Sequence, residues 1–365
     1  MTKLIDLCDI QYGYAFDSNC FSKDNSYPQL ARIRDVKRGY SETFYTGKYP
    51  KEYVLSAGDL LIGMDGEFNV ARWKIDGALL NQRVCKVVAK NGTNEEYIRF
   101  FLLKQLKTIE EKTSFVTVKH LSAREINKIE VDIPKLCEQE KIATTLLMLE
   151  RIEELRNREL LLLDELVRGR FVELFGHPEN NEMNWPQYCF GDICTVRQGL
   201  QIPISKRLTE TEENCYEYIT VAYLHGGKER EYIKDPKDSV ICHEDDILMT
   251  RTGNTGMVVT DVEGVFHNNF FLIDFDRNRF SKGFLVEYLN LDYIQADILR
   301  RAGTSTIPDL NHGDFYKMKI YEPPIALQKE FEAFSRQIDK SKLIVQKELD
   351  ETQLLFDSLM QEYFG

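Results

Sequence analysis

The sequence predicts an α+β chain of two duplicated globular parts, each followed by a long helix. The two helices are expected to pair as an antiparallel coiled coil, giving a pseudo-twofold molecule. Three observations predict this. At ~150 residues per domain, a chain of 365 residues holds more than one. A composition 43% hydrophobic and 29% charged is that of a globular protein, not a disordered one. The chain also repeats itself at a period near 187 residues, too long for a solenoid and suited to a duplicated domain.

The repeat is read residue by residue. A shift of 189 lays residues 131–176 on 320–365 without a gap. Pro134 meets Pro323, Gln139 meets Gln328, Ile142 meets Phe331, Leu166 meets Leu355, and both copies end in Phe-Gly (Phe175-Gly176, Phe364-Gly365). Upstream, Thr117, Leu121 and Ile129 meet Thr306, Leu310 and Met318. A shift of 187 lays Asp59, Gly66, Gly77 and Asn81 on Asp246, Gly253, Gly264 and Asn268. A shift of 186 lays Asp6, Cys8 and Gly13 on Asp192, Cys194 and Gly199.

Taken in order, the first ~130 residues of each half read as mixed and strand-rich. Val54 to Met64 is an apolar run broken by Gly58-Asp59. Arg83-Val-Cys-Lys-Val-Val and Asn269-Phe-Phe-Leu-Ile-Asp-Phe are strand-like. A helix is expected at Glu95–Glu111, with a counterpart at Gly283–Arg301. Pro134 and Pro323-Pro324 precede the long helices, expected from about Glu138 to Phe175 and from about Leu327 to Phe364. Apolar residues recur at helical spacing: Ile142, Leu146, Leu149 and Ile152 in the first, Phe331, Phe334, Ile338 and Val345 in the second. Thirty-eight residues span roughly 57 Å, more than a small globular part can cover, so the helices are expected to pack on each other. His177 to Asn184 is polar and aperiodic and reads as the linker, and Trp185-Pro186 opens the second half. The expected division is 1–136, 137–176, 177–185, 186–322 and 323–365.

Charge and motifs narrow the function. The net charge is −12, divided as +3 over residues 1–136 and −7 over 183–322. Bulk electrostatics therefore do not favour nucleic acid; any such role rests on local patches or on a basic partner. The eight cysteines form no Cys-x-x-Cys pair, so a metal site is not expected, and reduced, mostly buried thiols are. No apolar run approaches the ~18–20 residues of a membrane span, and the opening Met-Thr-Lys-Leu-Ile-Asp has no signal-peptide core. A soluble, cytoplasmic protein is expected. There is no Gly-x-Ser-x-Gly, phosphate-binding loop, dinucleotide fingerprint or Asn/Asp-Pro-Pro-Tyr/Phe, so no catalytic residue is assigned. In the acidic run Glu244-Asp245-Asp246 the last member matches Asp59, which favours a turn role over metal.

Some of these residues carry a family likeness. Ile133-Pro134-Lys-Leu-Cys-Glu-Gln139-Glu-Lys-Ile142 leads into one helix, Leu174-Phe175-Gly176 ends it, and Asn184-Trp185-Pro186 with Phe190-Gly191-Asp192-Ile193 opens the second half. Gly58-Asp59-Leu60-Leu61 followed by Asn81-Gln82-Arg83 sits mid-domain. With the duplication, the whole chain resembles the DNA-specificity subunit of type I restriction–modification systems. The resemblance implies that residues 1–136 and 186–322 are target-recognition domains, each reading one half of a bipartite duplex DNA target. It implies that the paired helices set the half-site spacing and dock two methyltransferase subunits, with restriction/translocase subunits joining the complex. Adenine methylation, S-adenosylmethionine, ATP and Mg then belong to those partners, and this chain is a noncatalytic subunit without a cofactor. Recognition elements in successive major grooves lie ~34 Å apart, a separation that a ~57 Å spacer can hold.

Base readout needs Arg or Lys for guanine and Asn or Gln for adenine on exposed loops. In the first half the candidates are Arg32, Arg34, Lys37, Arg38, Arg72, Lys74, Gln82 and Arg83, with Arg32 and Arg34 expected on one face of a strand. In the second they are Gln198, Gln201, Lys206, Arg207, Arg251, Thr252, Asn254 and Thr255, the last four in a glycine-bearing polar loop. Arg32, Arg34, Arg251 and Asn254 lead. Asn81 and Asn268 are expected to make a shared structural hydrogen bond. Two other readings stay open: a coiled-coil scaffold that reads no DNA, favoured by the negative charge, and a single-chain nuclease or methyltransferase.

Overall fold

The computed structural model describes residues 1–112, 120–224, 226, 230–303 and 308–365; the repeat match of Thr117 with Thr306 lies outside them. The chain forms two compact units, residues 1–157 with 347–365, and residues 158–346. The division passes through both long helices.

In the first unit, Cys8–Tyr12, Val84–Ala89, Leu60–Gly63 and Asn69–Arg72 form, in that order, a four-stranded antiparallel sheet. Both its faces are covered, so its central strands are continuous apolar runs rather than alternating ones. Leu60, Ile62, Cys85 and Val87 share a core with the helix Glu95–Lys112 and with the first turns of the first long helix. Leu61 and Val84, pointing the other way, share a core with Val36, Leu55, Trp73 and Leu80. Outside the sheet, Leu30–Ala31 runs parallel to Leu79–Leu80.

The second unit repeats the topology. Cys194–Gln198, Phe270–Phe275, Ile247–Thr250 and Val258–Val259 lie in the same order, and Cys215–Ile219 pairs in parallel with Gly264–Phe266. The equivalent glycines Gly13 and Gly199 are required by close backbone approach. A Cβ on Gly13 would lie 2.0 Å from the Asn81 carbonyl oxygen, and one on Gly199 2.3 Å from that of His267. The same geometry corrects one repeat assignment. Val84 N–H donates to Asn81 O, and Phe270 N–H donates to His267 O, so the counterpart of Asn81 is His267 rather than Asn268.

The single helix expected over 283–301 is two, Lys282–Asn290 and Asp292–Ala302. Leu291 between them is extended (φ −63°, ψ 137°) and buried in the core. Gln295 Nε2 donates to the freed Leu289 carbonyl at 2.6 Å, which satisfies the broken ladder.

The long helices run Leu136–Phe175 and Ile325–Phe364, 40 residues each. Within the first unit, Ile142 and Leu146 share a core with Met360 and Phe364, and Arg156 pairs with Glu348 at 2.6 Å. Within the second, Phe171 meets Phe331 edge-on at 5.2 Å, and Lys342 pairs with Asp164 at 2.6 Å. In each unit the helix segments therefore run antiparallel. Ile152, expected in the seam, is 41% exposed. Its neighbours Met148 and Leu155 are exposed too, so the apolar stripe is wider than the contact.

A buried glutamine fastens each globular part to its helix. Gln139 Oε1 accepts from Asn94 N–H at 2.8 Å, and its Nε2 donates to Pro134 O at 2.8 Å. Gln328 Oε1 accepts from Ser281 N–H at 2.9 Å, and its Nε2 donates to Pro323 O at 2.7 Å and Arg279 O at 3.0 Å. Asn94 and Ser281 stand just before the next helix of their units, so one side chain ties two helix starts together.

Residues 177–184 fold into turns, and Trp185 Nε1 donates to Phe175 O at 3.0 Å. The eight cysteines are free thiols. Four are buried, and burial pushes Cys8, Cys85, Cys194 and Cys242 up to about 12. Among the described residues no helix is long and apolar enough to cross a membrane.

Candidate nucleic-acid interface

One groove gathers the first-half candidates. It has a volume of about 560 Å³. Arg32, Arg34 and Lys37 reach it from one side, Asp65 and Glu67 from the loop joining two sheet strands, Asn69 from the start of the second of those strands, and Asn81, Gln82 and Arg83 from the loop before Val84. Arg32 and Arg34 do not share a strand face. Arg32 stands before a one-turn helix, Ile33–Val36, that contains Arg34. The Arg-Ile-Arg alternation that resembles a strand is overridden because Asp35 and Val36 turn inward. Asp35 accepts from Ser41 Oγ at 2.9 Å and pairs with Arg38, while Val36 enters the core.

Four cations face two carboxylates in this groove. Lys37 and Glu67, 3.4 Å apart, are both highly exposed, so their pairing is worth little and is readily exchanged. Arg34 has no ion pair among the described residues. Arg83 holds a positive φ of 69°, and its Nη1 lies 2.9 Å from His120 Nε2, while His120 Nδ1 pairs with Asp65. Asn69 and Asn81 also line the groove, and their Oδ1 atoms are buried and have no hydrogen-bond partner among the described residues. Among the described residues, Asn81 Oδ1 thus does not make the expected structural hydrogen bond. Arg38 lines an adjoining cleft of about 770 Å³ with Lys23 and Arg34.

Two first-half candidates stand apart. Arg72 is held by Glu95 at 2.8 Å, Glu96 at 2.5 Å and the Gly58 carbonyl, and it braces the sheet. These hydrogen bonds keep its guanidinium charged above the usual range, against the desolvation that opposes it. Lys74 is exposed and lies along Gly39, outside both grooves.

The second-half candidates are mostly committed to the protein. Arg251 forks onto Asp309 (2.8 and 2.7 Å), which draws the Asp309 carboxyl below its ordinary range. Thr252 bridges to Asp309 in the backbone, and Thr255 is buried, donating to Pro308 O at 2.8 Å. Arg207 binds the Ile202 carbonyl and Glu231 and lies over Tyr218. Gln198 Nε2 donates to Asn268 O at 3.1 Å. Gln201, Lys206 and Asn254 are exposed. The turn reading of Asp246 fits, since its Oδ2 accepts from His243 N–H at 3.0 Å, as Asp59 Oδ2 accepts from Ser56 N–H at 2.8 Å.

The parallel strand pairs align the two halves at this site. Ala31 lies opposite Leu80, and Ile219 opposite Phe266. The helix Ile33–Val36 therefore corresponds to Val221–Leu224, so Thr220 stands for Arg32 and Ala222 for Arg34. Met257 stands for Asn69, His267 for Asn81, and Asn268-Asn269 for Gln82-Arg83. The sequence reading missed Asn69, Glu67 and His120. Their place at the groove follows from strand register and chain return, which no local pattern announces.

A family model described as "Type I restriction modification DNA specificity domain" matches residues 1–163 and 182–352. The Type I restriction enzyme EcoBI specificity subunit of Escherichia coli is 41% identical over 141 residues, 38% of this chain and 30% of that relative's length. The fold is like that of the type I restriction–modification S subunit from M. genitalium, with a TM-score of 0.63 at 17% identity, covering 100% of this chain and 95% of that one. A second solved chain, from the structural basis of complex assembly and conformational transition of the type I R-M system, gives a TM-score of 0.57 at 17% identity, covering 100% and 96%. With a match over most of its length, placed once on each half of the duplication, the chain belongs to the type I restriction–modification DNA specificity family.

Proposed function

We propose that this chain is a noncatalytic, cytoplasmic specificity subunit that reads a bipartite duplex DNA target. Each globular part reads one half-site. The paired long helices set the spacing and dock two methyltransferase subunits, and restriction/translocase subunits join through the complex. S-adenosylmethionine, ATP and Mg belong to those partners.

The observation that carries this reading is the groove of Arg32, Arg34, Lys37 and Arg83 with the amides of Asn69, Asn81 and Gln82. In a chain of net charge −12 it concentrates the two side-chain classes that DNA recognition uses, cations for phosphate or guanine and amides for adenine. Exposed apolar side chains on the long helices, Leu161, Leu162, Leu343, Ile344 and Leu354, support their use as docking faces.

The test is a base-resolved methylome of the native host with and without this gene, with expression of the subunit verified. The expected result is a split adenine-methylation motif that vanishes on deletion. An unchanged methylome from an expressed complex overturns the reading and favours a scaffold. Lengthening both helices by one turn, between Leu160 and Leu166 and near Leu355, is expected to lengthen the gap and leave the half-sites unchanged.

A further inference from the structure

Two amide oxygens of residues lining the first-half groove have no partner among the described residues. Asn81 is 7% exposed, and its Oδ1 has no hydrogen-bond partner among the described residues. Asn69 Oδ1 is likewise buried and unpartnered, while its Nδ2 is spent on the Glu67 carbonyl at 3.0 Å. Buried polar atoms are normally paired, because desolvation without a compensating hydrogen bond is costly. Both acceptors belong to residues that line one groove and are themselves shielded from solvent, so a donor from outside is met by an amide that turns into the groove.

The walls restrict that donor. Arg32, Arg34, Lys37 and Arg83 make the groove net cationic, so a cationic donor such as an ammonium group is repelled and a neutral donor on a polyanion is favoured. On a DNA base edge in the major groove, the neutral donors are the exocyclic amino groups of adenine and cytosine. The second half lacks this arrangement. Met257 and His267 occupy the equivalent positions, and His267 Nδ1 already accepts from Asn269 N–H at 3.1 Å.

We propose that Asn81 and Asn69 are specificity-determining residues of the first half, their Oδ1 atoms accepting from the exocyclic amino group of a base in the half-site that this half reads. The proposal rests on the DNA-reading function above. It assigns to the first half a readout that the second half cannot make.

The experiment is selection from a random-sequence duplex library by the complex assembled with methyltransferase subunits. It compares the natural chain with Asn81→Leu, Asn81→Asp and Asn69→Val. With Asn81→Leu or Asn69→Val, preference at one position of one half-site is expected to fall about tenfold or more. The other half-site and the gap stay as they are, which shows that the variant is folded and assembled. Asn81→Asp separates the two sources. It keeps the acceptor and loses the donor that an adenine N7 needs, so an adenine preference shifts toward cytosine, whereas a cytosine preference is kept. Asn69→Val is the second probe where Asn81→Leu fails to assemble. Unchanged preference in every assembled variant overturns the proposal. Failure of the natural chain to enrich any split sequence overturns the DNA-reading function itself.

Discussion

The two halves share a sheet order, a parallel strand pair and a glutamine bolt, yet they differ at the surface that scaffold presents. Where the first half sets Arg32, Arg34, Gln82 and Arg83, the second sets Thr220, Ala222, Asn268 and Asn269. In the first half Arg34 lines the groove with no ion pair among the described residues, whereas in the second Arg207 and Arg251 are spent on Glu231 and Asp309. Duplication has kept the residues that hold the backbone and released those that face outward. The proposed function, in which each half reads its own half-site, calls for that division, since identical contacts cannot supply different readouts. The segment charges, +3 and −7, are the sum of this local exchange and others like it.

The largest effect is expected from writing one half into the other. Arg32→Thr with Arg34→Ala gives the first half the second half's residues. At two phosphate contacts, DNA affinity of the assembled complex falls about 100-fold near 0.1 M salt, and the slope of log affinity against log salt falls by about 2. Thr220→Arg with Ala222→Arg is expected to raise the slope. Anisotropy titrations across a salt series read both. A slope untouched by the first pair breaks the comparison, because the groove would then carry no phosphate contact.

The shared scaffold is probed next. Gln139 and Gln328 are 1% and 0% exposed and make equivalent bonds. Gln139→Ala and Gln328→Ala each orphan a backbone N–H and a proline carbonyl, so each is expected to cost its own unit about 2–3 kcal/mol. Hydrogen-exchange protection, read separately in the two units, measures this. Equal losses sharpen the comparison. A loss confined to one half would mean that the matched glutamines no longer do the same work.

What the sequence made legible follows the same division. The long helices showed because apolar residues recur at helical spacing, and the central strands because Leu60-Leu61-Ile62 and Phe270-Phe271-Leu272 are apolar runs buried on both sides. Ile33–Val36 did not, because one helical turn is shorter than the period that distinguishes helix from strand. The break at Leu291 has neither proline nor glycine to mark it; it comes from burying Leu291 in the core. The basic cluster at 32–38 was legible as a cluster. The fate of each arginine was not, because its partner lies elsewhere: Glu95 and Glu96 for Arg72, Glu231 for Arg207, Asp309 for Arg251.

Arg251 gives the third comparison, now between arginines. Its side chain is 21% exposed and forked on Asp309, which is half-exposed, so screening limits the pair and Arg251→Ala is expected to cost about 1 kcal/mol. Asp309 lies below its ordinary 3.8 because of Arg251, so its contribution is present above that value and lost as pH falls through the lowered one. Arg251→Ala should flatten this acid limb in thermal melts and leave the salt slope of DNA binding within error. A drop in slope like that of the Arg32/Arg34 pair would show that Arg251 leaves Asp309 for phosphate.

The smallest effect sets His267 against Asn81. Burial, with the Arg207 guanidinium adding to it, holds His267 below its ordinary 6.5. Its Nδ1 accepts from Asn269 N–H, a bond that only the unprotonated nitrogen makes. His312 is lowered too, by burial first and then by Arg251. For both, the unfolded chain takes up its proton first on acidification. Stability is therefore full above 6.5 and declines as pH falls toward the lowered folded values. Asn81, at the equivalent place, does not titrate. Hydrogen exchange at pH 7.5 and 5.5, corrected for intrinsic rates, is expected to show the sheet of the second unit losing protection relative to that of the first. His267→Asn should remove part of the difference by giving the second half the first half's residue. An equal response in the two units would mean that the imidazole stays neutral over this range, and that at this position the two halves differ in shape alone.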